Sequence, residues 1–500
     1  MKIFSAEQIR RWDAFTIAQE PIASIDLMER AATACFKWLV KNNFVHQPIH
    51  VFCGKGNNGG DGLALANLLV SHHYNAKVYV LQSDSKGSAD FETNLARLAA
   101  SKFNIHTIAA INDIPIVTQT DIIIDALFGT GLNKPPEGIA AVAINFIAES
   151  VATVIAIDIP SGMYADKSSL FNRVVVANYT LSFQLYKLAF LMAENESYFG
   201  EVHALDIGLH EQFAADEPAV FEMVDNEMIR QTYQPRKQFA HKGTYGHALL
   251  YAGSKGMMGA AVLAAKACLR SGVGLLTVAV PELGSNILQT QVPEALCISD
   301  SDEKFMEYCW HKKAVIGIGP GWGTGTLAVE VLDNVVEKWK GQLVMDASAL
   351  QYLALYPAKQ KMLIANTILT PHPKEFDRCF GDSDNDFGRV ELAMQKASEL
   401  KIYIVLKGHH TLIATPAGKG YFNNTGNAGM AKGGSGDVLT GIITGLLVQG
   451  YNPLQSCMLG VYLHGLAGDI AAEKFSQEAM LPGDIILNLG EAFKVIKKIK

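Results

Sequence analysis

Short runs of apolar and β-branched residues alternate with helical segments along most of this 500-residue chain, and that alternation limits its fold more than any other feature. Each run carries apolar residues at successive positions, which is typical of strands buried on both faces of a parallel sheet. After a helical opening at 6–40, the first predicted strands are residues 49–54, 76–82, 121–129, 153–162 and 174–183. The sequence therefore predicts an α/β fold built on doubly wound parallel sheets.

A second series of strands follows a stretch between Leu209 and His241 that is rich in charged and polar residues. These predicted strands are residues 247–253, 274–280, 314–321, 342–347, 367–373 and 403–408. A chain of 500 residues exceeds what one hydrophobic core normally serves. We therefore predict two domains, residues 1–216 and 222–500, with their junction in the polar stretch.

The net charge and the cysteine content limit the classes of partner that the protein can bind and the cellular compartment in which we expect it. The formal net charge of −7 argues against nucleic acid or an anionic membrane as the main partner. The first residues carry charges throughout, unlike a signal peptide, and no apolar run is long enough to span a membrane. The seven cysteines are odd in number and lack CxxC spacing, which argues against a disulfide framework or a thiolate zinc site. We expect a cytoplasmic protein without nucleic-acid or membrane partners.

A glycine-rich loop, NTGNAGMAKGGSGDVLTG at residues 424–441, leads into the apolar run Val438–Val448. We predict a buried helix over this run with Gly434–Gly436 at its N-terminus, where free N–H groups and the helix dipole attract anions. Asp437 would then lie beside a bound phosphate, where it can act by taking a proton from an attacking hydroxyl. The loop therefore indicates phosphoryl transfer to an alcohol, with Asp437 as general base. The alternative interpretation is a glycine turn capped by an aspartate.

The segment CGKGNNGGDG, residues 53–62, follows a predicted strand and precedes a predicted helix. Its GxGxxG spacing, together with Asp84 after the next strand, matches a dinucleotide-binding pattern. Asp61 argues against that function, because a carboxylate at the helix start would face the pyrophosphate. Oxygen donors instead lie at three neighbouring strand ends: Asn57, Asn58, Asp125 and Ser161. One carboxylate among neutral oxygens suits a weakly bound monovalent cation better than Zn²⁺ or Mg²⁺.

Further motifs occur in order along both halves of the chain. The first half contains LMERAA (27–32), NNGGDG (57–62), DALFGTGL (125–132), DIPSG (158–162) and DIGL (206–209). The second half contains HKGTYG (241–246), AGSKGMMGAA (252–261), GPG (319–321), TPHPKE (370–375), LKG (406–408) and NTGNAGMAKGGSGD (424–437). Over nearly its whole length the chain therefore resembles the family of bifunctional NAD(P)H-hydrate repair enzymes, in which an epimerase domain is fused to an ADP-dependent dehydratase.

The resemblance implies a fold and a reaction for each half. A Rossmann-like three-layer α/β/α domain would interconvert the R and S epimers of hydrated NADH and NADPH (NADHX and NADPHX). A ribokinase-like domain would dehydrate the S epimer with ADP, giving AMP and phosphate. Asp437 would be the base of the dehydration, and Asp158 is the candidate acid/base of the epimerisation, its alternative being a turn-capping role. Mg²⁺ is expected to accompany ADP, and we expect a homo-oligomer.

The resemblance also implies the binding residues. The epimerase contacts would be Asn57, Asn58, Gly59, Gly60, Asp61, Gly129, Thr130, Gly131, Leu132, Asn133, Lys134, Pro135 and Asp158, with K⁺ held by Asn58, Asp125 and Ser161. The hydrate contacts of the dehydratase would be Gly321, His372, Pro373, Lys374, Glu375, Phe376, Asp377, Arg378 and Asp437. The ADP contacts would be Lys407, Gly408, His409, His410, Thr411, Asn427, Ala428, Gly429, Met430, Ala431, Lys432, Gly433, Gly434, Ser435 and Gly436.

The chain departs from the family pattern at three points. Where the family has HPGE, DADAL and GTGD, this chain has HPKE (372–375), DASAL (346–350) and GSGD (434–437).

Three other functions are compared with this one. A small-molecule kinase would share the glycine–aspartate loop but leave the phosphate on its product. A non-catalytic binding module in the first half is disfavoured by the retained polar strand ends and by the acidic balance. An ordinary NAD oxidoreductase is disfavoured by Asp61.

Overall fold

The computed structural model describes residues 1–83, 85–101, 103–299, 310 and 315–499. Contacts divide the chain into two compact units: Lys2–Ala219 with Asn385–Phe387, and Met1 with Val220–Asp384 and Gly388–Lys500. Each unit surrounds a mainly parallel sheet with helices. The predicted fold class, two α/β domains with parallel sheets, is confirmed.

The sheet of the N-terminal unit is parallel throughout its described strands. They are Ile49–Cys53 (β1), Ala76–Leu81 (β2), Ile105–Ile108 (β3), Ile122–Ala126 (β4), Thr153–Ile157 (β5), Tyr179–Phe183 (β6) and Glu201–Leu205 (β7). Their order is β3-β2-β1-β4-β5-β6-β7. The chain first adds strands on one side of β1 and then on the other, so β1 and β4 flank the switch point where such sheets bind ligands.

Helices cover both faces of this sheet, and a two-residue strand, Lys2–Ile3, precedes the first of them. They are Ala6–Gln19 (α1), Ser24–Lys41 (α2), Asn57–Ser71 (α3), Ala89–Ala100 (α4), Gly138–Ala148 (α5), Glu196–Phe199 (α6) and Glu211–Asp216 (α7). The apolar faces of α2, α3 and α4 form one core with β1 and β2, and α5 packs on the other side of the sheet.

The strand predictions for this unit contain one error and two omissions. Residues 174–178 are not part of β6, because the N–H of Val175 donates to the Ser161 carbonyl at 2.9 Å and the segment follows the turn after β5. The edge strands β3 and β7 were not predicted, since both are partly exposed and lack a continuous buried run.

The C-terminal unit has a larger sheet of parallel and antiparallel strands. They are Phe221–Met223 (β8), His247–Tyr251 (β9), Leu275–Val280 (β10), Leu296–Ser299 (β11), Val315–Ile318 (β12), Leu343–Met345 (β13), Ile368–Leu369 (β14), Tyr403–Leu406 (β15), Leu412–Ala414 (β16) and Gly420–Phe422 (β17). Their order is β8-β17-β16-β15-β14-β13-β12-β9-β10-β11. β16 is antiparallel to both its neighbours, and the other pairs are parallel. The switch point lies between β9 and β12.

The described helices of this unit are ten in number. They are Asn226–Thr232 (α8), Met258–Arg270 (α9), Ser285–Gln291 (α10), Thr326–Lys338 (α11), Ser348–Leu355 (α12), Pro373–Phe380 (α13), Asp386–Leu400 (α14), Ser435–Val448 (α15), Pro453–Phe475 (α16) and Pro482–Lys498 (α17). The described helices include none that is long and apolar enough to cross a membrane.

Helix α15 is the buried helix that the glycine-rich loop predicts. It begins at Ser435, and Gly434 precedes it with φ +102°, a left-handed conformation that glycine adopts without strain. A Cβ at Gly441 would lie 2.2 Å from the carbonyl oxygen of Ala264, so the glycine lets α15 lie directly against α9. This packing fixes the first turn of α15 at the carboxyl edge of the sheet.

Candidate active sites

Four loops of the C-terminal unit meet at the carboxyl ends of adjacent parallel strands. They contain Gly321 after β12, Asp346 after β13, His372 after β14 and Lys407 after β15. Backbone hydrogen bonds continue beyond the strands, from the Asp346 N–H to the Ile318 carbonyl at 3.1 Å and from the Lys407 N–H to the Pro371 carbonyl at 2.8 Å. The parallel sheet thus brings together residues that are far apart in the sequence.

Asp346 and Lys407 form the centre of this site. The Lys407 ammonium donates to Asp346 Oδ1 at 2.9 Å, and Thr440 Oγ1 on α15 donates to Asp346 Oδ2 at 2.8 Å. Glu375 Oε2 lies 3.7 Å from Lys407 Nζ and accepts the His372 N–H at 2.9 Å, which caps α13. Although burial opposes the charged form, Asp346 and Glu375 raise the pKa of Lys407 above its ordinary value. The site therefore holds a permanent cation between carboxylates.

Asp437 lies in the first turn of α15, close to this cluster. Its carboxyl group makes no hydrogen bond or ion pair with the described residues. Burial and the neighbouring Asp346 raise the pKa of Asp437 to about 6, although Lys407 acts in the opposite direction. An unpartnered carboxyl group with a pKa near neutrality is suited to accept a proton from a bound hydroxyl.

The backbone donors at this helix end differ slightly from the predicted set. The N–H of Ser435 already donates to the Lys432 carbonyl at 3.2 Å, because Gly434 turns the chain back on itself. The N–H groups of Gly436 and Asp437 have no acceptor in the described part of the chain, as expected for a first helical turn. Of the predicted donors, Ser435 is therefore engaged, whereas Gly434 and Gly436 remain available together with Asp437.

The glycine-rich loop before α15 is held by a side chain of α16 and by backbone carbonyls of the loop beyond that helix. The Asp469 carboxylate accepts the Gly426 N–H and the Asn427 amide, both at 2.9 Å. The Lys432 ammonium donates to the carbonyls of Glu478 and Met480, so its donors are engaged by backbone. The loop is therefore ordered by its own contacts. The remaining predicted ADP positions lie along it, in the single 3₁₀ turn Ala428–Met430 and in Ala431, Gly433 and Gly434.

The other predicted ADP segment forms the turn after β15. Thr411 Oγ1 donates to the Gly408 carbonyl at 3.0 Å and closes the turn. Burial, together with the adjacent His409, lowers the pKa of His410 to about 4. His410 is therefore neutral at physiological pH and adds no charge beside Lys407.

Not every predicted hydrate contact turns its side chain toward this site. Phe376 is fully buried and packs on Phe380 with ring centroids 5.1 Å apart, and Asp377 pairs with Arg389 at 2.9 Å. The reason is helical periodicity, since only one face of α13 points to the sheet edge. Pro373, Lys374 and Arg378 are exposed. Ser348, one of the departures from the family pattern, accepts the Gly323 N–H at 3.0 Å and so supports the loop that contains Gly321.

The second candidate site lies at the β1–β4 switch point of the N-terminal unit. A Cβ at Gly59 would lie 1.7 Å from the Gly54 carbonyl oxygen, so these glycines let α3 begin against the end of β1. Asp61 was predicted at the helix start, but it lies beyond the first turn and is buried, because α3 already begins at Asn57. Asp84, the other part of the dinucleotide pattern, lies outside the described residues.

The loop after β4 approaches α3 at Gly129. A Cβ at Gly129 would lie 3.2 Å from Asn58 Cβ, which places this glycine against the buried Asn58 side chain. The Asn58 amide nitrogen has no partner among the described residues. Thr130 and Leu132 are half-buried, whereas Gly131, Asn133, Lys134 and Pro135 are exposed. The loop therefore forms a rim rather than a buried wall.

Asp125 and Ser161 meet at the carboxyl ends of β4 and β5. Ser161 Oγ donates to Asp125 Oδ1 at 2.6 Å, and the Ser161 N–H donates to Asp125 Oδ2 at 2.8 Å. Burial raises the pKa of Asp125 to about 6, although these hydrogen bonds act to lower it. No Lys, Arg or His of the described chain pairs with this carboxylate.

Asp158 ends β5 in an unusual backbone conformation, with φ +66°. Its Oδ1 accepts the Lys187 ammonium at 2.6 Å, and Lys187 is fully buried. Two further carboxyl groups are nearby. Burial and the Asp158 charge raise the pKa of Asp13 to about 7, and burial with the charges of Asp158 and Asp13 raises the pKa of Asp61 well above its ordinary value. The site thus combines one ion pair with two carboxyl groups that retain protons easily.

The sequence did not single out Asp13, Lys187 or Thr440. Lys187 is a lone cation in the apolar segment LYKLAFLM, and this signal could have identified it. Asp13 and Thr440 carry no comparable signal, since charged residues occur throughout α1 and a threonine in an apolar helix is common. Only the packing of helices and strands in the folded chain shows that they belong to the two sites.

Comparison with known proteins gives matches for both units. A family model described as YjeF-related protein N-terminus matches residues 24–189, and one described as NAD(P)H-hydrate dehydratase matches residues 248–489. The bifunctional NAD(P)H-hydrate repair enzyme Nnr of Moorella thermoacetica is 34% identical over 97% of this chain and 95% of its own length. That of Thermofilum pendens is 32% identical over 100% of this chain and 97% of its own.

A solved structure is similar to the C-terminal unit. It is a ribokinase-like superfamily protein from Enterococcus faecalis V583, with 28% identity and a TM-score of 0.50 over 55% of this chain and 96% of that chain. The similarity in sequence therefore extends over both candidate sites, and the similarity in fold over the C-terminal one.

Proposed function

The chain belongs to the family of bifunctional NAD(P)H-hydrate repair enzymes, and we propose that its two units divide the repair between them. The N-terminal unit epimerises NADHX and NADPHX, and the C-terminal unit dehydrates the S epimer with ADP. The observation that carries the second assignment is the unpartnered Asp437 carboxyl group beside Lys407, at a helix end with free N–H groups. It supports phosphoryl transfer to an alcohol.

The dehydration begins with proton removal at the C6 hydroxyl of the hydrate. Asp437 takes this proton while the oxygen attacks the terminal phosphorus of ADP, and AMP leaves with the electron pair of the broken P–O bond. The ring nitrogen then expels phosphate from C6, and loss of a proton from C5 restores the double bond. Hydroxide is a poor leaving group, so phosphorylation makes this elimination possible.

The charges of the site suit this transfer. Lys407 is held by Asp346 and Glu375 beside the first turn of α15, where it can neutralise the transferred phosphoryl group. The N–H groups of Gly434, Gly436 and Asp437, which have no acceptor in the described residues, are further donors at this helix end. Mg²⁺ carried by the ADP phosphates would add positive charge there, with Glu375 and Asp346 as nearby oxygen donors.

Epimerisation needs the ring to open and close again at C6. Removal of the hydroxyl proton forms the C6 carbonyl, the C6–N1 bond breaks with its electron pair on N1, and N1 takes up a proton. Reclosure on the opposite face of the carbonyl gives the other epimer. We assign the proton transfers to Asp158, whose Oδ2 has no partner in the described structure.

The buried oxygens at Asp125 and Ser161 fit a monovalent cation. Asp125 is fully buried without a cationic side chain beside it, and the Phe128 carbonyl lies 3.2 Å from Ser161 Oγ. A set of one carboxylate with amide, hydroxyl and carbonyl oxygens suits K⁺. Asn58, Asp125 and Ser161 would hold it, and its charge would help to bind the phosphates of the hydrate.

We also propose that the protein works in the cytoplasm. The described cysteines are free thiols, which suits a reducing compartment.

Replacing Asp125 by alanine tests the cation site. We expect the K⁺ concentration needed for half-maximal epimerisation to rise by at least the ~10–100-fold that lost ligand support costs in metal sites. Dehydration of pure S hydrate with ADP should be unchanged, since the variant leaves the other unit intact. Titration with KCl of both activities measures this, and an anomalous-scattering map without a cation at Asp125 would remove the site.

The proposed function is tested directly with a mixture of both epimers and ADP. We expect complete recovery of the reduced cofactor, followed by its absorbance, with one AMP and one phosphate formed for each hydrate consumed. A small-molecule kinase would instead release AMP without phosphate and without regaining the cofactor. Without ADP, the protein should still convert pure R hydrate into a mixture of epimers.

A further inference from the structure

Lys187 is the most unusual charged residue of the N-terminal unit, because its side chain is 0% exposed. A buried ammonium needs an acceptor for each of its three N–H donors. Here the three nearest acceptors are Asp158 Oδ1 at 2.6 Å, Ser182 Oγ at 2.7 Å and the Phe183 carbonyl at 2.9 Å. The Leu185 carbonyl lies slightly farther away, at 3.4 Å. The ammonium is therefore fixed in position by the end of β6.

Asp158 is also fixed by hydrogen bonds, which involve its backbone N–H and its Oδ1 atom. Its N–H donates to the Leu181 carbonyl at 2.8 Å, and its Oδ1 accepts Lys187 and the Phe183 N–H at 3.3 Å. Its backbone φ of +66° is uncommon in a residue other than glycine, and such conformations are frequent at functional sites. Its Oδ2 has no partner among the described residues, and the side chain is 12% exposed. One oxygen is thus fixed while the other stays open.

A purely structural role explains this arrangement poorly. Removing two charges from water costs more than their attraction usually returns, so a buried ion pair adds little to stability. The pair also lies at the carboxyl edge of the sheet, next to the protonatable Asp13 and Asp61. Without the Lys187 ammonium, Asp158 would be a third carboxyl group in this space, and no ion pair would define its position.

We propose that Lys187 is a positioning residue of the epimerase site, which holds Asp158 through Oδ1 so that Oδ2 meets the hydroxyl of the bound hydrate. This inference rests on the proposed epimerase function. Lys187 itself does not touch the hydrate, because all of its donors are engaged with protein acceptors. Its effect is exerted through Asp158 alone.

The test is the variant Lys187→Met, which keeps the length of the side chain and removes its charge. With pure R hydrate and excess ADP, epimerisation limits the recovery of the reduced cofactor. We expect kcat for epimerisation to fall about 100-fold, the cost of a misplaced reacting group, with KM little changed. Lys41→Met, at an exposed lysine of α2, is the matched control and should behave as the wild type. Dehydration of pure S hydrate reports on the C-terminal unit only, so thermal unfolding followed by circular dichroism reports whether the N-terminal unit is folded.

A double-mutant cycle separates positioning from a structural role. In the Asp158→Asn background the effect of Lys187→Met should vanish, to within about twofold in single-turnover rate, because Lys187 acts only through Asp158. The double variant removes both charges of the buried pair, so it remains informative even if Lys187→Met alone fails to fold. An equal 100-fold loss in both backgrounds, or an unchanged kcat in Lys187→Met, would overturn the inference. Failure of the wild type to consume R hydrate would instead overturn the proposed function.

Discussion

Asp437→Asn is expected to lower ADP-dependent dehydration by about two to four orders of magnitude, because asparagine keeps the shape of the side chain but cannot accept the proton. Asp437 has no hydrogen-bond or ion-pair partner in the described structure, so the substitution breaks no contact within the protein. Initial rates with pure S hydrate and ADP measure the effect. Epimerisation of R hydrate by the same variant should equal that of the wild type.

The pH dependence provides a second check on the same residue. A base must be deprotonated to act, and the pKa of Asp437 is raised to about 6. Wild-type kcat/KM for dehydration should therefore be constant above this value and fall tenfold per unit below it, whereas Asp437→Asn should lose this limb. Asp26→Asn, at another first-turn aspartate in the N-terminal unit, is the matched control. Dehydration by Asp437→Asn at a near-normal rate would exclude Asp437 as the base.

Asp158→Asn is expected to stop the repair of a mixture of epimers near half conversion. The dehydratase accepts one face of C6, so the R epimer accumulates once epimerisation falls by about two to four orders of magnitude. Absorbance of the reduced cofactor should rise to roughly half its wild-type value and then increase only at the uncatalysed rate. Dehydration of pure S hydrate should be unaffected.

A buried aspartate at the opposite end of the same sheet is a suitable control for this variant. As whole residues Asp121 is 7% and Asp158 8% exposed, but Asp121 precedes β4 and pairs with His50 at 3.3 Å. Asp121→Asn should leave the mixture fully consumed. Full conversion by Asp158→Asn at the wild-type rate would show that another group, such as Asp13, transfers the proton.

The local sequence determined the elements and the loops of this protein. Alternating buried runs predicted the strands that carry both sites, because the pattern of apolar residues decides which segments are buried in a sheet. The glycines before Val438 predicted the start of α15, since positive φ and free N–H groups are local properties. The same reasoning missed the short strands β8, β11, β16 and β17.

The tertiary structure alone decided which side chains meet. Lys407 lies 61 residues after Asp346, and Lys187 lies 29 residues after Asp158, yet each pair is in hydrogen-bond contact. Sheet order and parallel register set these contacts, and neither is encoded in the spacing of a motif. Burial then set the protonation of Asp437 and Asp125, because the cost of a charge depends on everything packed around it. Sequence motifs thus identified the residues available for chemistry, and packing decided the roles they can take.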